Sequence, residues 1–271
     1  MTTSYIPITY WQLALASALI LINIGLSFVL QLGLAKQLGI AAFRMTAQLL
    51  LVGYVLKWVF TLQQPGLVLL VALLMSLIAG QAATDRVNRR FVNIYGSCFL
   101  SILISSIFAT GLTVEGIIQV HPWYNPQYVI PMLGMVLGNA LTGTSLALER
   151  FTDDLINRRE QVESLLALGA TRWEATQGLI QVAIRTGMTP TINQMMVMGI
   201  VSLPGMMTGQ ILAGALPTDA VRYQIVILFT IAAGTALSTM SIVLIAFRVL
   251  LNAQHQLQVE QLQLRQKAPS N

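Results

Sequence analysis

Long apolar runs, separated by short charged segments, constrain this chain more than any other feature. The first run covers residues 10–32 and contains no Asp, Glu, Lys or Arg. A helix needs about 20 predominantly apolar residues to cross the hydrocarbon core of a bilayer. Charged residues make up only 9% of the chain, whereas a soluble domain carries roughly 25%. The runs therefore predict an all-α polytopic membrane protein and exclude a cytosolic enzyme, a disordered chain and a nucleic-acid-binding protein.

The apolar runs predict about seven transmembrane helices. Their expected bounds are 10–32, 40–60, 65–84, 95–117, 128–148, 188–212 and 223–250. Pro131, Pro190 and Pro204 stand where helices kink or break. We expect one transmembrane domain over residues 1–251, with a polar element at 149–184, and a glutamine-rich tail over 252–271 that prolongs the last helix.

The distribution of the cations predicts the orientation, because cytoplasmic loops carry an excess of Lys and Arg. With the N-terminus outside and the C-terminus in the cytoplasm, only Lys57 and Arg222 of the 15 cations lie outside. The cations that this orientation places inside are Lys36, Arg44, Arg86, Arg89, Arg90, Arg150, Arg158, Arg159, Arg172, Arg185, Arg248, Arg265 and Lys267.

The polar element at 149–184 predicts two helices joined by a sharp elbow between the fifth and sixth spans. Apolar residues recur at helical spacing in its first half, opposite charged residues. Gly169 is the residue type preferred just after a helix end. Thr171 and Glu174 have the spacing of a capping box, which begins a second helix. Such an elbow either lies on anionic lipid or couples the membrane domain to a cytoplasmic motor.

A motor for this chain must reside on another polypeptide. A P-loop requires the pattern G-x-x-x-x-G-K-[ST], and Lys36, Lys57 and Lys267 all lack that context. A proton-driven carrier usually places ionisable side chains in mid-membrane, but every carboxylate here falls outside the predicted spans or near an end. No catalytic constellation is visible, so an enzyme is not expected.

The elbow resembles the EAA loop of ABC-transporter permeases. Residues 162–173 read VESLLALGATRW, and Glu163 precedes Gly169 by six positions as in that loop. Ser164 and Leu165 depart from its two alanines, and Val182 stands in place of its later proline. The resemblance implies that an ATPase docks at the following residues: Glu163, Ala167, Leu168, Gly169, Ala170, Thr171 and Arg172.

Nearly the whole chain resembles the FetB-type permease family of ABC systems, most specifically over residues 160–225. The segments that carry the resemblance read PTINQ at 190–194, GIVSLPGMMTGQILAG at 199–214 and AVRYQI at 220–225. Where the family usually continues an asparagine with Ser-Met, this chain has Asn139-Ala140-Leu141. The bacterial members are linked to iron export, and plant relatives to aluminium tolerance.

The resemblance implies a homodimer in the bacterial inner membrane that binds two ATPase subunits and exports a metal or a metal complex. ATP and Mg would bind to the partner ATPase, and no cofactor is expected on this chain. Three alternatives stay open. One is an ATP-independent carrier or channel for a small solute, and another is transport in the importer direction, for which EAA loops are best known. The third is a membrane adaptor that transports nothing.

Spans five and six are the expected cargo route. Pro204 and Gly205 should interrupt the sixth helix, either at a packed kink or along the route. Five methionines crowd residues 195–207, and thioethers are either packing residues or soft ligands poorly suited to Fe(III). The predicted route residues are Asn139, Asn193, Ser202, Pro204, Gly205, Met206, Met207, Thr208 and Gln210. The candidate metal ligands are Asn139, Glu149, Met195 and Met198. With so few charged side chains, a chelated or neutral metal species suits this lining better than a bare trivalent ion.

Overall fold

The fold is helical along almost all of the chain that the structure describes. The computed structural model describes residues 8–252, 254, 256–258, 260 and 262–264. Two short strands, β1 (Arg89–Arg90) and β2 (Gln263–Leu264), pair antiparallel. The helices of the described residues are α1 (Tyr10–Val29), α2 (Ala35–Leu62), α3 (Pro65–Asp85), α4 (Ile94–Gly111), α5 (Pro126–Asn157), α6 (Arg159–Ala167), α7 (Arg172–Val197), α8 (Gly205–Leu212) and α9 (Pro217–Leu250).

Six helical segments of the described chain are long and apolar enough to cross a membrane. They are α1, α2, α3, α5, α9, and α4 together with the π-helical segment Leu112–Ile117 that extends it. The predicted span 188–212 differs, because it is not one helix. The helix α7 ends at Val197, residues 198–204 are irregular, and α8 begins at Gly205. The positive φ of Gly199 (+84°) turns the chain out of the helix, and Pro204, which has no N–H to donate, is the N-cap of α8.

The core is built around α5, which packs against α3, α4, α7 and α9. Its buried face includes Leu148, Phe151 and Leu155. Small residues bring the helices close together: a Cβ placed on Gly143 would lie 2.6 Å from Cγ2 of Thr235 on α9. Without a strong hydrophobic drive between helices in lipid, such close packing is what holds them together.

The hairpin of α1 and α2 is peripheral. Ser27 and Val59 are the only buried residues of these two helices, which the structure describes in full. Val59 packs with Val68 of α3 and Ile130 of α5. The hairpin thus leaves nearly all of its apolar surface to lipid or to another protein chain.

Three segments predicted to be cytoplasmic meet at one end of the bundle, which we call the charged end (residues 86–93, 149–172 and 250–252). The Nε of Arg89 donates to Oδ1 of Asp153 at 2.9 Å. Arg172 donates from Nη1 to the carbonyl oxygen of Leu251 at 3.1 Å. These contacts place the α3–α4 turn, the elbow and the end of α9 together; which side of the membrane they occupy stays a prediction.

The tail does not prolong the last helix, as the sequence led us to expect. Leu251 is buried and extended (φ −124°, ψ 111°), which ends α9. Leu251 forms an antiparallel bridge with Leu257, and β2 pairs with β1. The chain turns back because Leu257 and Leu262 find apolar surface on the core, which a straight helix in water would not offer. Residues 253, 255, 259, 261 and 265–271 of the predicted tail lie outside the described residues.

Candidate functional site

The elbow is a sharp, fully hydrogen-bonded turn after α6. Gly169 has φ +92°, a conformation that glycine adopts without strain. Its N–H donates to the carbonyl of Leu166 at 3.0 Å, and the N–H of Ala170 donates to that of Leu165 at 3.0 Å. This pair of bonds is a Schellman motif, which satisfies the last carbonyls of a helix. The predicted helix end at Gly169 is confirmed.

The second helix of the elbow begins with the predicted capping box. The hydroxyl of Thr171 accepts from the N–H of Glu174 at 3.3 Å, and Oε2 of Glu174 accepts from the N–H of Thr171 at 2.8 Å. The two reciprocal bonds satisfy backbone donors that no helical carbonyl can reach. The direction of α7 is therefore set within three residues of the Gly169 turn.

The tip of the elbow carries an apolar side chain that is exposed on the protein surface. Leu168 is 85% exposed, and Ala167 and Gly169 beside it are also exposed. One turn earlier, Glu163 pairs with Arg159 at 2.7 Å. An exposed leucine next to an ion pair is an arrangement suited to insertion into a partner's groove.

Arg172 points back toward its own chain. Besides its bond to Leu251, its guanidinium lies 5.4 Å from the ring centroid of Phe247 on α9. Trp173 packs edge-on against the same ring at 5.9 Å. Arg172 therefore ties the start of α7 to the end of α9.

The interruption of the sixth span is wider than Pro204-Gly205. Between α7 and α8, the N–H of Gly199 donates to the carbonyl of Ser202 at 2.9 Å, which closes a small loop. Ser202 and Gly205 are exposed, and Pro204 is half-buried. Ile200 is 88% exposed. We call residues 198–204 the break.

The other predicted residues of this region lie on α8. Met206, Met207, Thr208 and Gln210 are all half-buried. Met206 packs against the cluster that contains Ile227 of α9. The Oε1 atom of Gln210 is buried and accepts no hydrogen bond from the part of the chain that the structure describes.

The two predicted asparagines are not brought to one site. Asn139 is half-buried on α5, and its Nδ2 donates to the carbonyl of Met135 one turn earlier at 2.9 Å. Asn193 lies on the exposed side of α7. An amide that bonds within its own helix has one donor fewer for a ligand.

Glu149 has a structural partner at the charged end. Its Oε1 accepts from Nδ2 of Asn88 at 2.6 Å and its Oε2 accepts from the backbone N–H of Asn88 at 2.7 Å. Ten residues separate Glu149 from Asn139, which is about 15 Å along a helix. These two candidate ligands therefore cannot share one metal ion.

The two methionine candidates lie near the end of α7. Met195 and Met198 are half-buried, and Sδ of Met198 lies 4.0 Å from Nε2 of Gln224, which donates to it. Among the described residues, no group of three or more His, Cys, Asp or Glu side chains could hold a metal ion.

A row of polar side chains on α7 was not singled out from the sequence. All five members are exposed, and they recur every four residues, which places neighbours one turn apart on the helix surface. The spacing could have been read from the sequence, but the exposure could not. The row consists of Gln177, Gln181, Arg185, Thr189 and Asn193.

The fold and these features define a class of protein, a multi-pass helical membrane protein with an elbow at one end of its bundle and an interrupted helix leading from it. The chain belongs to the family UPF0014, described as an uncharacterised protein family, whose model matches residues 10–251.

Relatives of this chain are membrane proteins from bacteria and plants. A UPF0014 membrane protein, slr1647 of Synechocystis, is 42% identical over 84% of this chain and 88% of its own length. The probable iron export permease protein FetB of Escherichia coli is 35% identical over 94% of this chain and 97% of its own. The protein ALUMINUM SENSITIVE 3 of Arabidopsis thaliana is 32% identical over 84% and 82%.

No solved structure matches this chain. The resemblance to the FetB-type family that the sequence indicated is confirmed by the family match and by these relatives. The chain is a multi-pass integral membrane protein.

Proposed function

We propose that this chain is the membrane-spanning subunit of an ABC transporter that exports a metal, or a metal complex, with energy from a separate ATPase subunit. The elbow carries this proposal. It is a rigid turn with an exposed leucine at its tip, and both its entry and its exit are secured by local hydrogen bonds. A helix resting on lipid needs an apolar face along its length, whereas a docking element needs a defined protruding tip.

The elbow is connected to the break by one continuous element. The 26 residues of α7 extend over about 39 Å, from the Thr171 cap to Val197. A displacement of the elbow by a motor would therefore move the start of α7 directly. The break follows at the far end of α7, where the helix ends. Discontinuous helices of this kind form binding sites in other transporters.

The same proposal includes a homodimer of this chain, a cytoplasmic position for the charged end and a place in the bacterial inner membrane. The largely unburied α1–α2 hairpin leaves surface for a second copy. With the charged end in the cytoplasm, each copy would offer its elbow to an ATPase that supplies ATP and Mg. We assign the chain to the bacterial inner membrane. Its own role would be transport, without enzymatic activity.

The cargo is proposed from the relative in Escherichia coli, which is named a probable iron export permease. The side chains of the predicted cargo route offer amides, hydroxyls and thioethers with few carboxylates. Fe(III) prefers oxygen ligands, especially charged ones, so a complexed metal is a better match to these side chains than a bare ion.

The experiment is co-purification of the full chain with an ABC ATPase encoded by the same organism. Leu168→Asp should abolish the complex, because a charge at the tip must be desolvated in an apolar groove. Leu216→Asp is the matched control, since Leu216 is 66% exposed at the other end of the bundle. Both variants should insert in the membrane normally. A wild-type chain that binds no ATPase, or a Leu168→Asp variant that binds it fully, would overturn the proposal.

A further inference from the structure

The exposed side of α7 differs from that of α3, because polar side chains stand on it among the exposed apolar residues Val182, Ile192 and Met196. On α3 the large exposed side chains are Leu69, Leu70, Leu73, Leu74, Leu77 and Ile78, as expected for contact with lipid. On α7 the exposed side includes the polar row of Gln177, Gln181, Arg185, Thr189 and Asn193. Polar and charged side chains within a membrane face a protein interior or a water-filled cavity.

The row runs from the charged end toward the middle of the membrane. The helices α5 and α7 cross at Gly143 and Gly187, which are in close contact. Gly143 precedes Glu149, at the charged end, by six residues, or about 9 Å of helix. Asn193 follows Gly187 by six residues, which places it about 18 Å from the level of Glu149. The hydrocarbon core is about 30 Å thick, so the row reaches roughly its centre.

Arg185 is the charged member of the row. Within the part of the chain that the structure describes, its guanidinium makes no hydrogen bond or ion pair. Two carboxylates of the charged end have other cationic partners, since Asp154 pairs with Arg150 and Glu163 with Arg159. An unpaired guanidinium offers five N–H donors to a carboxylate or phosphate.

We propose that the exposed side of α7 is one wall of an aqueous route that opens at the charged end, and that Arg185 selects anionic cargo at its entrance. The cargo would carry carboxylate or phosphate oxygens that bond to the guanidinium, so a metal would travel as an anionic complex. Thr189 and Asn193 continue the wall with neutral polar groups, and the break follows at the end of α7. This inference rests on the proposed transport function and deepens it by naming the charge of the cargo.

Cysteine accessibility tests the route without knowledge of the cargo. In a Cys98→Ala background, Thr189→Cys should react with a negatively charged methanethiosulfonate reagent at least tenfold faster than Leu73→Cys on the lipid side of α3. In the Thr189→Cys variant, we compare the rate of reaction with the negatively charged sulfonate reagent to the rate with the positively charged trimethylammonium reagent. Adding Arg185→Gln should lower this ratio at least threefold, and Arg185→Lys should preserve it. An unreactive Thr189→Cys, or a ratio unchanged by Arg185→Gln, would overturn the inference.

Binding to the full chain in nanodiscs tests the cargo class, with citrate, ferric citrate and Fe²⁺ without a chelator as probes. Charge-assisted hydrogen bonds are stronger than neutral ones, so Arg185→Gln should weaken citrate or ferric citrate binding at least tenfold. Arg222→Gln is the matched control, because Arg222 is an exposed arginine paired with Asp219 at 3.4 Å. Equal binding by Arg185→Gln and wild type would assign the guanidinium to lipid headgroups and contradict the inference, as would binding of Fe²⁺ alone.

The two proposals fail in different ways. If the ATPase co-purifies but the anions bind independently of Arg185, the transporter assignment stands and the anionic route is wrong. If anions bind through Arg185 but no ATPase associates with the elbow, the route stands and the ATP-driven function is wrong.

Discussion

Gly187 of α7 lies directly against Gly143 of α5: a Cβ on Gly187 would lie 2.6 Å from the carbonyl oxygen of Gly143 and 2.8 Å from Cβ of Ala147. Both obstacles are on a neighbouring helix, so they move only if the helices separate. This contact sets the spacing between the core and the helix that begins at the elbow.

Gly187→Ala should therefore lower the stability of the protein. Overpacking a tight core contact costs about 1–3 kcal/mol, and thermal unfolding in detergent should show a reduced Tm. Gly178→Ala is the control on the same helix, because a Cβ there meets nothing within 4 Å. It should leave stability unchanged or raise it by up to about 1 kcal/mol, since alanine is the better helix former. Equal Tm values for the two variants would contradict this account of the crossing.

Gly169→Val should strain the elbow, because a β-branched residue is forced to φ +92°. Backbone strain of this kind costs about 1–3 kcal/mol, and the turn would relax to another geometry. In the proposed transporter, ATP hydrolysis should then be uncoupled from transport while membrane insertion is normal. Gly169→Asn should retain most coupling, as asparagine tolerates the left-handed conformation. Full coupling in Gly169→Val, assayed in proteoliposomes with the ATPase, would show that the turn is not the coupling element.

Thr171→Ala should remove the cap of α7 and reduce stability by about 1 kcal/mol, measured by denaturant or thermal unfolding. Thr171→Ser keeps the hydroxyl that accepts from the N–H of Glu174, so its stability should stay close to that of the wild type. If serine were as damaging as alanine, the methyl group and not the hydrogen bond would be the stabilising part.

Glu149→Gln and Asn88→Ala should destabilise the charged end by similar amounts, and the double variant should lose little more than either alone. Hydrogen bonds to a charged group contribute about 1.5–3 kcal/mol, and residues in one network are not additive. The free energies of unfolding of the four proteins form the required cycle. Additive losses would mean that Glu149 acts elsewhere. Protection of wild type, but not Glu149→Gln, by added iron would reinstate it as a metal ligand.

Features whose hydrogen bonds close within a few residues could be predicted from the sequence. The Gly169 turn and the Thr171–Glu174 capping box are confirmed because their bonds span five residues or fewer. The six membrane-length helices were also predictable, since a long apolar run in a bilayer must satisfy its backbone polar groups internally.

Features that depend on distant partners could not be predicted. Asn88 and Glu149 are 61 residues apart in the chain, so no residue near Glu149 in the sequence indicates its structural partner, and the sequence suggests a metal ligand there instead. The tail leaves α9 at Leu251 because apolar surface on the core receives Leu257 and Leu262, which only the folded bundle provides.

The charged residues show both what the sequence determines and what depends on the tertiary structure. The sequence by itself determined that this is a polytopic membrane protein in which no lysine has the P-loop context, because hydropathy and the P-loop pattern are properties of contiguous residues. Only the tertiary structure decided that Arg185 is exposed on α7 and unpaired among the described residues, and that Arg172 is tied to α9. Which face of a helix is buried depends on packing against helices far away in sequence, here through Gly143 and Gly187, and that packing is a property of the whole fold.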